Sequence, residues 1–209
     1  MCAGGGRLIG RLCNPPAMAA DPPCARYLVL DTETTGLFRP GRSPPRLVEA
    51  GWLVCDERGR VLERGHDVVA PSGFAIPVAA SRVHGITTAV ARREGVPVAG
   101  VLHALGCASI GVSAVVAHNL RFDRAVVAGE CRRACVPDPL ASLSGFCTME
   151  SGAFLCGVRW QGSYKWPTLG ELHLALFGEP CAGIHRAMED AEACARCFFE
   201  LKKRGVFGV

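Results

Sequence analysis

Three short stretches concentrate the acid–base side chains of this chain: Asp31-Thr32-Glu33-Thr34-Thr35-Gly36-Leu37, His118-Asn119-Leu120-Arg121-Phe122-Asp123, and His185-Arg186-Ala187-Met188-Glu189-Asp190-Ala191. Among their side chains are the carboxylates of Asp31, Glu33, Asp123 and Asp190 and one late imidazole, His185. Carboxylate oxygens are the hard ligands that Mg²⁺ and Mn²⁺ take. Two such cations and an adjacent base are the inventory for activating a water against a phosphodiester.

These residues need elements to hold them. Tyr27-Leu28-Val29-Leu30 is an apolar run ending in Asp31 and reads as a buried strand. Alternate residues of a strand share a face, so Asp31 and Glu33 point one way and Thr32 the other. Two neighbouring acids repel and lose solvation when buried, which a bound metal would offset. A solvated strand end with two ordinary acids is the alternative. Gly36 then permits a tight turn, which leaves Leu37 near the acids.

Ala114-Val115-Val116-Ala117 is a second short strand, followed by a helical pattern from about Leu120 to Cys135. Asp123 falls in the first turn of that helix, near the positive end of its dipole. It is either a ligand or simply a favourable first-turn acid. In the third stretch, residues five apart on a helix differ by about 140° around its axis. His185 and Asp190 can therefore meet only if His185 sits on the preceding loop, Cys181-Ala182-Gly183-Ile184, and Asp190 within the helix from Ala187 to Lys202. Otherwise both are solvated surface residues.

Joined in this order, the three stretches resemble the DEDDh family of 3′→5′ exonucleases, the ribonuclease T and polymerase III epsilon group, and in particular its proofreading-subunit branch. Val83-His84-Gly85-Ile86-Thr87 resembles a further segment of that family, and Glu49 stands where the family has a glutamate in its second strand. The resemblance covers about residues 26–204. It implies an α/β domain with a ribonuclease-H-like mixed β-sheet flanked by helices. It implies two divalent ions, Mg²⁺ or Mn²⁺, held by Asp31, Glu33, Asp123 and Asp190, with His185 as general base. A sibling class places tyrosine four residues before the last aspartate; here that position is Arg186, so only the histidine class is consistent. Thr34, Gly36 and Leu37 would approach the terminal nucleotide, and His118, Asn119 and Phe122 would contact the strand or support the ligands. The implied partner is the 3′ end of single-stranded nucleic acid, DNA preferred over RNA because the Thr34-Thr35 pair is closer to the proofreading branch. An exoribonuclease of the same superfamily and a non-catalytic polymerase-associated module are the alternatives. Association with a DNA polymerase is compatible with the branch, but no extended partner-binding tail follows Gly205.

Composition agrees with this without demanding it. At 209 residues the chain suits one α/β domain with a real core. Its net charge of +4 permits a polyanionic partner. The cations are almost all arginine, whose fork suits phosphate, although the excess of Gly, Ala and Pro points to a GC-rich genome as the plainer cause. Twelve cysteines are scattered without a framework, and no signal peptide precedes them, so reduced thiols in an intracellular, cytosol- or nucleus-like compartment are expected. Cys194-Ala195-Arg196-Cys197 has zinc-ligand spacing but no second pair, and it falls within a helical pattern. Residues 1–25, rich in Gly, Ala and Pro, read as a disordered leader before an exonuclease domain over 26–205; Met18 is an alternative start. No segment is apolar enough to span a membrane.

The remaining elements follow from the same signals. Leu47 to Cys55 and Val61 to Val69 form a hairpin around Glu57-Arg58-Gly59, after a loop at Pro40 to Pro45. Short helices are expected near 78–84, 87–93 and 98–106, an edge strand at 146–148, and a helix from Met149. Thr168-Leu169-Gly170-Glu171 is a capping box opening a helix that ends near Gly178. Trp160, Tyr164, Lys165 and Trp166 either stack on single-stranded nucleic acid or fold over the domain edge.

Overall fold

Strand β1 (Tyr27–Thr34) runs up the middle of the sheet and carries the acids at its far end. The computed structural model describes residues 25–39, 41–157, 159–160, 162–181 and 185–207. Of the leader expected over residues 1–25, residues 1–24, Met18 among them, lie outside the described residues, as do position 40 and most of the loop before the third stretch. Strands β2 (Leu47–Cys55) and β3 (Val61–Val68) extend the sheet antiparallel on one side of β1. Strands β4 (Ala114–Ala117) and β5 (Ser144–Cys147) continue it in parallel on the other. The order β3-β2-β1-β4-β5 is thus a mixed sheet. All nine residues of β2 are buried, whereas β3, at the edge, is largely exposed.

Helices α1 (Val78–His84), α2 (Thr88–Glu94) and α3 (Val98–Ala108) follow the hairpin. Helix α4 (Leu120–Ala134) follows β4, α5 (Thr148–Cys156) follows β5, and α6 (Leu169–Phe177) and α7 (Ala187–Lys203) close the chain. Side-chain alternation on β1 sorts these into two layers. Leu28 and Leu30 enter a core with Val101 and Leu105 of α3 and Val126 and Val127 of α4. Tyr27 and Val29 enter the opposite core with Leu172 of α6 and Cys197, Phe198 and Leu201 of α7. Each such buried aliphatic contributes about 1.5–3 kcal/mol, enough to hold the register of β1. That register decides where the polar end of the strand points.

Some boundaries differ from expectation. β1 continues through Thr34 because it stays paired to β2 up to Leu47. β5 begins at Ser144 and α5 at Thr148. A two-stranded hairpin, β6 (Arg159–Trp160) with β7 (Ser163–Tyr164), was not expected; its strands are only two residues long. The capping box is present: the Thr168 hydroxyl accepts from the Glu171 backbone at 3.2 Å, and the Glu171 carboxylate accepts from the Thr168 N–H at 2.7 Å. Cys194 and Cys197 lie buried in the α7 core, where burial pushes the Cys197 thiol up to about 12. Cys55, Cys131, Cys135, Cys147, Cys156, Cys194 and Cys197 stand outside disulfides. No described helix is long and apolar enough to cross a membrane.

Candidate active site

Past Leu30 the alternation of β1 continues into polar residues. Asp31 and Glu33 face the α7 layer, and Thr32 and Thr34 face the α4 layer. The carboxylate oxygens of Asp31, Glu33 and Asp190 all lie within 4.8 Å of one another. Asp190 reaches the strand from the first turn of α7. His185 precedes that helix on a left-handed residue (φ 84°), and its backbone N–H donates to Asp190 Oδ2 at 3.1 Å. The helix-and-loop arrangement expected from their spacing is the one present.

Asp123 approaches from the other layer. It is buried in the first turn of α4 and accepts a hydrogen bond from Thr32 Oγ1 at 2.8 Å. Its oxygens are not within the 4.8 Å group, yet its charge acts directly on Asp31. Thr32 was assigned no role from the sequence. Alternation alone placed it on the opposite face, and only the position of α4 gives it a partner.

The electrostatics are those of a site built for cations. Burial, then the neighbouring charges of Asp123, Asp190 and Glu33, push Asp31 well above the usual carboxylate range. Burial, then Asp190 and Glu49, raises Glu33 to about 7. Burial raises Asp123 to about 7 against the Thr32 hydrogen bond, and burial also raises Asp190. Asp190 Oδ1 is buried without a hydrogen-bond partner. Acids in this state gain by binding a divalent ion, since it replaces both lost solvation and the missing partner. The donor set therefore fits Mg²⁺ or Mn²⁺: hard oxygens, an orphaned lone pair and clustered negative charge.

Glu49 explains why the third stretch sits where it does. It pairs with Glu33 across β1 and β2, is fully buried, and accepts from four donors. Arg186 donates from Nε at 3.0 Å and from Nη2 at 2.6 Å; the Ala187 backbone N–H donates at 3.0 Å; His66 Nε2 lies at 2.7 Å. Burial pushes this carboxyl up, but the bonds from Arg186, Ala187 and His66 outweigh it and hold it below its usual value. Glu49 thus caps α7 from another strand, supplying the acceptor that Arg186, its N-cap residue, does not. The partners Arg186 and His66 carry no sequence signal, because they stand 137 and 17 residues from Glu49. Arg186→Gln removes the fork that holds the His185 loop. We expect roughly a tenfold to hundredfold loss of turnover and a lower melting temperature, with partial recovery in Arg186→Lys, measured by steady-state kinetics and thermal melts.

A second close contact lies two residue pairs along the strands. Gly51 pairs with Asp31, and a Cβ at Gly51 would come within 2.5 Å of the backbone of Ala187 and Met188. The start of α7 therefore rests directly on β2.

The other expected residues line or brace the cleft. A cavity of about 640 Å³ is bounded by Asp31, Asp190, His185, His118, Asn119 and Trp166, among others. His118 has both ring nitrogens engaged, Nδ1 with Thr148 Oγ1 and Nε2 with the Pro167 carbonyl, each at 3.0 Å. The carbonyl can only accept, so Nε2 carries the proton, and burial holds the ring below the usual histidine value. His118 is thus a neutral brace of the cleft wall. Asn119 adopts a left-handed conformation (φ 76°) at the start of α4. Phe122 is half-buried and meets Phe38 edge-on at 5.1 Å. Thr34 Oγ1 donates to the Gly36 carbonyl at 2.7 Å, and Gly36 takes φ 144°, which a side chain rarely adopts. Leu37 beyond it is 83% exposed. Trp166 faces the cleft, while Tyr164 packs edge-on against Phe154 and Lys165 pairs with Glu171, so only Trp166 of those three borders the cavity.

A mixed five-stranded sheet with helices on both faces and acids converging from β1, α4 and α7 defines a ribonuclease-H-like exonuclease fold. The family model described as Exonuclease (RNase T) matches residues 28–198. The chain belongs to this family, the DEDDh-type exonucleases. Solved structures agree in fold. One structure of exonuclease I superposes with a TM-score of 0.72 at 21% identity, over 88% of this chain and 42% of that one. The zinc-bound complex of E. coli exonuclease I with single-stranded DNA gives 0.71 at 22%, over 88% and 42%. Exonuclease I from Methylocaldum szegediense gives 0.69 at 20%, over 87% and 41%. The chain thus spans about two fifths of the length of these exonuclease I chains. No curated protein sequence matches it.

Proposed function

We propose that residues 26–205 form a metal-dependent 3′→5′ exonuclease that hydrolyses the terminal phosphodiester of single-stranded nucleic acid, DNA in preference to RNA. The observation that carries this reading is the meeting of Asp31, Glu33 and Asp190 within 4.8 Å. Asp31, Glu33 and Asp190, with Asp123 beside them, are the residues that would hold two divalent ions. Such ions, when bound, acidify a water and offset charge on the phosphate and the leaving oxygen. His185, exposed at the mouth of the cleft, takes the proton from the attacking water. Its left-handed backbone and the Asp190 hydrogen bond set the direction of the ring's attachment. Thr34, Gly36 and Leu37 receive the terminal nucleotide, with Leu37 as an exposed apolar surface for the base. Asn119 and Trp166 flank the strand, and Phe122, braced by Phe38, backs the turn that Leu37 follows. The preference for DNA is supported by the resemblance of the Thr34-Thr35 pair to the proofreading branch and by the single-stranded DNA seen in exonuclease I complexes.

With Mg²⁺ or Mn²⁺, a 5′-labelled single strand is expected to shorten stepwise from its 3′ end, and EDTA stops the reaction. DNA and RNA run in parallel decide the substrate. His185→Ala is expected to lower turnover by roughly 10²–10⁴ while leaving metal-induced thermal stabilisation intact. Release of internal fragments excludes an exonuclease.

A further inference from the structure

Beside the first motif the loop between β1 and β2 encloses a second, smaller cavity of about 300 Å³. It opens at Thr35, Gly36 and Leu37, the same turn that leads out of Glu33, and its charged lining is Arg39, Arg42 and Arg46 with no carboxylate. The loop is held shut at its base. Thr35 N–H donates to the Arg46 carbonyl at 2.9 Å, and Arg46 N–H donates to Thr35 Oγ1 at 2.9 Å. Arg133 ties the Pro44 carbonyl from α4. Arg42 N–H donates to the Arg39 carbonyl at 3.1 Å, which keeps these two residues close.

The three guanidinium groups are not equivalent. Arg46 lies against the Phe74 ring at 4.2 Å and pairs with buried Glu130 at 2.8 Å, a carboxylate it shares with Arg133 at 3.1 Å. Arg39 and Arg42 are exposed, and no described carboxylate pairs with either. The net result is a pocket with two uncompensated forks next to the turn that receives the terminal nucleotide. Two neighbouring guanidinium forks suit phosphodiester oxygens.

We propose that Arg39 and Arg42 form a phosphate subsite that grips the backbone of the bound single strand next to its terminal nucleotide. The subsite rests on the proposed function for its ligand. It serves strand affinity and leaves the chemistry to the acids. A mononucleotide ester has no neighbouring phosphate, so it gains nothing from these arginines.

The test uses Arg39→Glu/Arg42→Glu, with Arg39→Gln/Arg42→Gln as a second variant that adds no repulsion. Binding of a fluorescein-labelled dT12 strand is measured in EDTA across a salt series, and hydrolysis of the p-nitrophenyl ester of thymidine 5′-phosphate is measured with Mn²⁺. The glutamate variant is expected to bind the strand at least about tenfold more weakly. Its log–log salt slope is expected to fall by about 1.4, two single-strand contacts at about 0.7 each. The glutamine variant is expected to show the same loss of slope, and ester hydrolysis to be unchanged in both. Binding and slope equal to the unaltered protein in both variants overturn the subsite. Arginine-dependent binding without cleavage of strand or ester by the unaltered protein overturns the nuclease reading and leaves the subsite standing.

Discussion

Asp31→Asn is expected to abolish strand cleavage, by about a thousandfold or more, while raising the melting temperature of the metal-free protein. On the proposed function, the first effect follows from losing a charged group that would hold a metal ion within the acid cluster. The second follows from repulsion: burial and the charges of Asp123, Asp190 and Glu33 all work against an ionised Asp31. An ordinary buried-polar substitution costs stability, so a gain in stability with a loss of activity marks this residue as one held for its chemistry. The pH dependence has a definite sign. Glu33 and Asp123 titrate at about 7 in the folded chain and near 4 when unfolded. Between those values the folded state keeps protons that the unfolded state has released. Their contribution to stability is therefore lost as pH rises through that window. In EDTA the melting temperature is expected to fall from pH 5 to pH 8, and Mn²⁺ to restore it more at pH 8 than at pH 5. A metal-induced shift that is the same at both values, or that survives in Asp31→Asn, would place the ion elsewhere.

Gly51→Ala is expected to cost at least about a hundredfold in turnover although it touches no carboxylate. The added methyl would meet the Ala187 and Met188 backbone at 2.5 Å, and main chain cannot swing aside as a side-chain tip can. Helix α7 must lift from β2, and Asp190 moves away from Asp31 with it. A displacement of about 1 Å is enough for such a loss. Overpacking of this kind also destabilises by about 1–3 kcal/mol. Kinetics combined with metal titration separate this from simple unfolding: the variant is expected to retain its helical circular dichroism at low temperature yet to bind Mn²⁺ more weakly. Unchanged metal affinity would show that α7 tolerates the methyl.

Much of the frame could be read from residue order, and the reasons are local. Tyr27-Leu28-Val29-Leu30 announces a two-faced buried strand, and the same period of two carries Asp31 and Glu33 to one side. The Thr168 capping box and the glycine at 178 delimit α6 by chemistry contained within a few residues. The five-residue interval of His185 and Asp190 calls for a loop and a helix if the two are to meet, and the alternative of two solvated residues stays open in the sequence. What could not be read depends on distant partners. The bond of Thr32 to Asp123 spans the sheet to α4, and the four donors on Glu49 come from β3 and the edge of α7. Gly51 looks like any strand glycine until a helix is placed on it. The β6–β7 hairpin is too short to carry a strand signal; Arg159 over the Tyr164 ring and Phe154 edge-on to that ring accompany it. The pairing of Lys165 with Glu171 is likewise a contact that residue order does not announce.

The tether between Glu49 and Arg186 joins segments separated by 137 residues, and it anchors the helix that brings Asp190 to β1. During synthesis on the ribosome, the early strands emerge long before that helix. A growing polypeptide that holds Asp31, Glu33 and Asp123 but not yet Asp190 lacks one of the three acids that meet within 4.8 Å. On the proposed function it would also lack His185, and cleavage would have to await the last helix.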